Sequence, residues 1–220
     1  MKGYNMRLKW IISLLISTPL MAEQVIGKAY VGDRLEYTEN RRETSGRDYT
    51  SQYTDSNDKL FATKTVSYPS DHPWAPLFTL EDIRHDYKLK VTSGGKGIKV
   101  YLNQDGDVKA GTFPVNSEAI WDAGIHYFIV DNWDKLKTSQ TRSVFIPELM
   151  RFIDFDFKRD QQNKVEMKIS NTLLSWFVDP IIIQYSPEAI MKKYDGISDI
   201  QDAKQKQLSV VIYYSYPEAK

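Results

Sequence analysis

Apolar and polar residues alternate along most of this chain, and a period of two admits strands rather than helices. Ile98, Val100 and Leu102 interleave with Lys99, Tyr101 and Asn103. Val165, Met167 and Ile169 interleave with Glu166, Lys168 and Ser170. Leu208, Val210, Ile212, Tyr214 and Tyr216 interleave with Gln207, Ser209, Val211, Tyr213 and Ser215. Residues 81–91 read the same way. Ile83, Tyr87, Leu89 and Val91 share a face with Glu81 and His85, while Asp82, Arg84, Asp86, Lys88 and Lys90 take the other. That spacing predicts one half-buried strand with a wet outer face. Turn residues punctuate the runs at Asp55-Ser56-Asn57-Asp58, Ser93-Gly94-Gly95-Lys96-Gly97, Asn103-Gln104-Asp105-Gly106 and Asp160-Gln161-Gln162-Asn163. Asp105-Gly106 is a strong hairpin signal. Strands joined so tightly run antiparallel, so the pattern predicts a meander of about ten strands.

Two segments leave this period. In residues 117–136, Ile120, Trp121, Ile125, Phe128, Ile129, Trp133 and Leu136 fall three and four apart. Ser117 as N-cap and Glu118 in the first turn complete the prediction of a long, largely covered helix. A shorter apolar helix is expected after Asn171, through Leu173, Leu174, Trp176 and Phe177, ending before Pro180. A sheet with one apolar face must cover it. The expected fold is therefore mainly β, of α+β type: a curled antiparallel sheet, or half-barrel, with two helices across its concave face. A closed outer-membrane barrel is the rival. The mid-chain helix, the ending Tyr216-Pro217-Glu218-Ala219-Lys220 and the charged row from Asp82 to Lys90 argue against it.

Residues 1–22 read as a secretory signal. Lys2, Arg7 and Lys9 precede an apolar stretch from Trp10 to Ile16, and cleavage is expected after Ala22. The stretch is too short for a spanning helix. Residues 23–220 are then expected to form a single β half-barrel domain in the periplasm of a Gram-negative envelope, with no transmembrane helix in the mature chain. The 29 basic and 29 acidic residues balance, which argues against a nucleic-acid partner because phosphate neutralisation needs a basic excess. The absence of cysteine excludes a disulfide framework, a thiolate metal site, a cysteine nucleophile and an acylated N-terminal cysteine.

Several short motifs carry a resemblance. They are Gly32-Asp33-Arg34-Leu35-Glu36-Tyr37, Asp82-Ile83-Arg84, Phe145-Ile146-Pro147 and Tyr194-Asp195-Gly196-Ile197-Ser198-Asp199-Ile200. With the export signal, the chain resembles an uncharacterised family of bacterial periplasmic proteins. The resemblance implies the curled sheet-and-helix architecture of the LolA/LolB lipoprotein carriers. It implies a soluble envelope protein that binds something apolar, and it brings no catalytic residues with it.

Chemistry is sparse in the pattern. His72, His85 and His126 lie at no metal-ligating spacing, and neither metal nor cofactor is expected. Asp154 and Asp156 share a strand face at roughly the 6–7 Å that glycosidase carboxylates use, but Lys158 continues that face and makes it a solvated row. Gly94, Gly95 and Gly97 around Lys96 lack the ending of a phosphate loop. The aromatics are the remaining lead: five Trp, nine Phe and fourteen Tyr are heavy for this length, and they either fill a core between sheet and helices or line an apolar cavity under the helix. A ligand-binding set follows. Trp121, Phe128 and Trp133 line the concavity, Arg84 and His85 stand at its rim, and Trp74 sits in a proline-rich lid at residues 69–76. The expected function is carriage of a lipid, an acyl chain or another hydrophobic small molecule. The alternatives are a hydrolase or isomerase using His85 or the aspartate pair, and an envelope protein-interaction module using a sheet edge or the Trp74 loop.

Overall fold

The computed structural model describes residues 24–95, 97–171 and 178–217. The signal segment and the second expected helix, whose apolar residues fall in 172–177, lie outside the described residues. Fourteen strands are described: β1 Gln24–Val31, β2 Arg34–Ser45, β3 Asp48–Thr54, β4 Leu60–Ser67, β5 Leu77–Asp82, β6 Tyr87–Ser93 and β7 Gly97–Gln104. The rest are β8 Asp107–Pro114, β9 Gln140–Ile146, β10 Arg151–Arg159, β11 Lys164–Ile169, β12 Ile181–Tyr185, β13 Met191–Gln201 and β14 Gln207–Ser215.

All fourteen form one antiparallel sheet, ordered β8-β7-β6-β5-β4-β3-β2-β1-β14-β13-β12-β11-β10-β9. Each strand pairs with its sequence neighbours except that β8 and β9 do not pair, and β1 meets β14 near the centre, with Ala29 opposite Ile212. The sheet thus has two wings whose outer strands, β8 and β9, are its edges. Predicted turns fall where Gly and Asp permit positive φ. Asp105 and Gly106 both adopt it between β7 and β8, as the two-residue hairpin requires.

The sheet has four more strands than the apolar pattern predicts. β2 and β3 show no aliphatic alternation, because their inward positions are Tyr37, Glu39, Arg41, Tyr49, Ser51 and Tyr53. Residues 81–91 are also not one strand. β5 ends at Asp82 and β6 starts at Tyr87, and a turn between them carries Asp86 at φ 45°. The Asp82 carboxylate accepts the Arg84 N–H at 3.0 Å and closes that turn. The hairpin turns Glu81 outward to pair with Lys88 at 2.6 Å and buries Asp82 instead.

The long helix is corrected as well. Only Gly124–Asp131 is α-helical (α1), followed by a 3-10 turn at Lys135–Lys137. Residues 115–123 form a non-helical inner segment in which Ile120 bridges Val144 of β9 in parallel. Asp122 adopts φ 52°, which no α-helix accommodates. Gly124 then starts α1 directly against the carbonyl of Trp74, where a Cβ would lie 1.7 Å from that oxygen.

The rolled sheet encloses two cores. The first gathers Phe78, Leu80, Leu89, Val91, Ile98, Val100 and Leu102 of β5–β7 with Trp121 and Phe145. The second holds Phe128 and Ile129 of α1 against Phe157, Val165, Met167 and Tyr185. Neighbouring residues of the inner segment serve both cores: Trp121 enters the first and Ile120 the second. α1 thus touches both wings: Phe128 and Ile129 pack in the second core, while Tyr127 meets the Tyr68 ring edge-on at 5.0 Å and accepts from Arg41 of β2 at 3.2 Å. Phe113 near the end of β8 and Phe145 of β9 approach to 5.1 Å, bringing the two edges of the sheet together through side chains.

Candidate functional site

The six residues read as a ligand-binding set separate into three places. Trp121 is fully buried in the first core, where its indole N–H donates to the Pro76 carbonyl at 2.6 Å. Trp74, Phe128 and Trp133 belong to the second core or its shell. Trp74 stacks edge-on against Phe128 and donates its indole N–H to Asp131 at 2.8 Å, so it is not the free side chain expected of a lid tip. Trp133 meets Tyr185 edge-on and lies under the Arg159 guanidinium, 4.2 Å away. Arg84 and His85 occupy the β5–β6 turn. Arg84 holds Asp82 in a two-pronged pair, covers the Phe61 ring at 3.6 Å and donates to the Gln201 carbonyl. The buried Nε2 of His85 has no hydrogen-bond partner.

The proline-rich loop at 69–76 anchors the inner segment. Its Trp74 carbonyl accepts the Trp121 N–H, and its Pro73 carbonyl accepts from Arg47. The aspartate pair stands on the outer face of β10, where Asp156 accepts the Thr141 hydroxyl at 2.6 Å. That hydrogen bond holds the Asp156 carboxyl below the usual carboxylate range. His85 lies in the opposite wing, so these groups form no common cleft. Among the described residues no His, Cys, Asp and Glu group is arranged to hold a metal ion.

A charged cluster inside the first core was not read from the sequence. Lys64 of β4 shares the inward face with Ala62 and Val66 and is buried. Its ammonium donates to Asp122 at 2.7 Å and to Asp199 at 2.5 Å. Asp122 is equally buried, whereas the Asp199 side chain is 40% exposed. Glu148 lies in the 3-10 turn Pro147–Leu149. Two carboxylates thus come from two different segments to one strand lysine. Burial opposes the charge on Lys64, yet Asp122 and Asp199 keep its pKa well above the usual lysine value. Burial raises Asp122. Burial, with Asp199 close by, pushes Glu148 up to about 7.

The Asp199 segment is a strap. The β13–β14 ladder lapses between Ile197 and Gln201, and the freed residues fold inward. Ser198 bonds the Tyr37 hydroxyl of β2 at 2.7 Å, Asp199 meets Lys64, Ile200 enters the first core and the Gln201 carbonyl receives Arg84. Residues 197–201 therefore run from β13 across β2 and β4 to the β5–β6 turn.

Around this cluster the first core has two unlike walls. β5–β7 present aliphatic and phenyl side chains. β2–β4 present Tyr37, Glu39, Arg41, Tyr49, Ser51, Tyr53 and Lys64, with Ser51 donating to Glu39 and Arg41 lying over the Tyr49 ring at 3.9 Å. Burial raises the hydroxyl pKa of Tyr37, Tyr49 and Tyr53 and keeps them neutral hydrogen-bonding groups.

No family model matches the chain, and no curated protein matches it in sequence. A solved structure does. The chain is similar to a crystal structure of a beta-barrel-like protein of domain of unknown function DUF1849 from Brucella abortus. The TM-score is 0.51 at 7% identity, over 91% of this chain and 99% of that one. The fold is β-barrel-like. At that identity the likeness concerns the fold alone. It meets the expectation of a mainly β, curled architecture.

The sequence did carry a signal for Lys64: a lysine at the apolar parity of Phe61-Ala62-Thr63-Lys64-Thr65-Val66 is out of place on an inward face. Nothing comparable marked Asp122 or Glu148, because their burial depends on segments folding in from outside the ladder.

Proposed function

We propose that the protein is an exported, soluble envelope protein that binds an amphipathic ligand in the first core, in the manner of the curled-sheet lipoprotein carriers. The two-walled interior carries this reading. An apolar wall accepts a hydrocarbon chain, and a facing wall of tyrosine hydroxyls and ionised groups accepts a polar end. The space is filled by the protein's own inner segment and strap, so the ligand enters as these segments leave. α1 suits that exchange, since it is one eight-residue helix without a side-chain cap and depends on tertiary contacts.

Charge defines the polar end. Glu39, Glu43, Asp122 and Asp199 outnumber Arg41 and Lys64 on the inner side, and Lys64 already holds two carboxylates. A headgroup bearing hydroxyl or amino groups fits this interior, and a carboxylate does not. Burying roughly 200–300 Å² of chain at about 25 cal/mol per Å² supplies some 5–7 kcal/mol before association costs. That strength suits transient carriage. The outer face supports a soluble state: Glu81 and Lys88 on one wing, and Asp156, Lys158, Glu166 and Lys168 on the other, cannot face lipid.

The test is solvent extraction of the protein purified from an envelope fraction, followed by mass spectrometry. One amphiphile in stoichiometric amount supports the reading. Protein that carries none, and takes up none from a mixed-lipid extract, overturns it.

A further inference from the structure

A sheet closed on itself has no edges, and this sheet stays open between β8 and β9. The two edges differ. β9 is partly capped: Ile120 of the inner segment bridges Val144, and its carbonyl accepts the Phe145 N–H at 2.9 Å. β8 is bare. All eight of its residues keep register with β7, without a bulge. The two-residue turn at Asp105-Gly106 fixes which of them bond β7. Asp107, Lys109, Gly111 and Phe113 aim their backbone groups at β7, and Val108, Ala110 and Thr112 aim theirs away from the sheet. Among the described residues no hydrogen bond meets those outward N–H and carbonyl groups.

Natural edges are blunted by bulges, proline or charge. Here proline comes only at the last residue, Pro114. Lys109 shares the inward parity of Leu102 and pairs with Asp107 at 3.6 Å, so the outer side chains of the strand are the uncharged Val108, Ala110 and Thr112. The edge is an open template for one more strand.

The surfaces beside this edge define what such a strand carries. On the outer face an open concavity of about 540 Å³ is lined by Ala110, Thr112, Tyr101, Lys99 and Lys90. Lys88 on the same face has Glu81 at 2.6 Å, whereas no carboxylate among the described residues pairs with Lys90 or Lys99. On the inner face the Phe113 ring meets Phe145 at 5.1 Å, and Phe145 meets Phe152 at 5.0 Å. Phe145 is fully buried, but Phe152, next in that row, is 40% exposed.

We propose that β8 is a strand-addition site for an extended segment of another protein that alternates apolar and acidic side chains. Its backbone bonds Val108, Ala110 and Thr112, its apolar side chains cover Phe152, and its carboxylates lie over Ala110 and Thr112 toward Lys99 and Lys90. A second copy of this chain fits worse. Two β8 strands paired antiparallel would set Lys109 and Gly111 on the inner side, where an apolar cover is needed, and bring no acid to Lys90 and Lys99. Nothing in the interior has to move, so the site is independent of any ligand in the first core.

The test uses the purified protein and a labelled peptide of about eight residues alternating valine and glutamate, beside a valine–lysine counterpart. Fluorescence anisotropy at low salt should show the glutamate peptide bound at least about tenfold tighter. Its binding should slow amide exchange at least about tenfold at Val108, Ala110 and Thr112 and leave Thr141 and Ser143 of β9 unchanged. Ala110→Pro removes a donor that β7 does not use, so Tm should hold while affinity falls at least about tenfold. Lys99→Glu, on the exposed face, should reverse the preference between the peptides. Binding of neither peptide, an equal preference, protection at β9 instead of β8, or no reversal in Lys99→Glu overturns the proposal, and so does full affinity in a folded Ala110→Pro protein. A dimer that forms without peptide and is lost in Ala110→Pro assigns the edge to a second copy and overturns the acidic partner.

Discussion

Lys64→Met gives the sharpest test of the interior. The methionine fills the same space as the alkyl stem and removes only the ammonium. The lysine side chain is 5% exposed and its partner Asp122 6%, whereas Asp199 is 40% exposed. Asp199 can rehydrate after the substitution, and Asp122 cannot. The loss is therefore that of one buried pair broken from one side, about 3 kcal/mol at the lower end of the usual range. In a domain of this size each kcal/mol moves Tm by about 2–4 °C, so Tm at pH 7 should fall by about 6–12 °C. Adding Asp122→Asn removes the stranded charge, and asparagine tolerates the positive φ at that position. The double variant should regain about 2 kcal/mol over Lys64→Met alone. Urea denaturation followed by circular dichroism measures all three variants. A Lys64→Met cost below about 1 kcal/mol, or a double variant as unstable as the sum of the singles, would refute the assignment of Lys64 and Asp122 as a buried, mutually dependent pair.

Further predictions follow from the same contacts. Trp121→Phe keeps a ring in the first core but loses the bond to the Pro76 carbonyl, and should cost about 1–2 kcal/mol by denaturant titration. Gly124→Ala should cost more than about 3 kcal/mol, since its methyl meets the Trp74 carbonyl and the backbone must move; unchanged Tm would contradict that packing. The imidazole of His126 should titrate near 4 by NMR, its stabilising effect present above about 6.5 and lost as pH falls toward 4; a midpoint near 6.5 would show the ring is not enclosed against Tyr185. Dodecylamine should displace a fluorescent apolar probe at least tenfold better than dodecanoate. Equal displacement would remove the charge argument, and no displacement by either would remove the site.

Period-two patterning located β7, β11, β14 and the turns around them because their inward residues are aliphatic and their turns carry Asp-Gly or Asx residues. It is weakest where the inward face is polar. β2 presents Tyr37, Glu39 and Arg41 to the interior, a sequence indistinguishable by hydropathy from a solvated strand. It failed at residues 81–91, where a four-residue turn without glycine or proline leaves the alternation looking continuous. The helix was half legible. Phe128, Ile129 and Leu136 do form an apolar stripe, but the three- and four-residue spacing of Ile120 and Trp121 arises from an extended segment that feeds two cores. The site was least legible. The parity of Lys64 marks a charge out of place, though it is easily passed over, whereas its partners are 58 and 135 residues away in sequence and come together only when the sheet rolls.

Amide hydrogen exchange with and without a saturating amphiphile tests the central claim most directly. If the ligand takes the place of the protein's own segments, protection should fall at residues 117–123 and 198–200 and hold or rise along β5–β7. Unchanged protection in those two segments, or a uniform rise across the whole sheet, would mean that the interior is a closed core and that any ligand binds elsewhere.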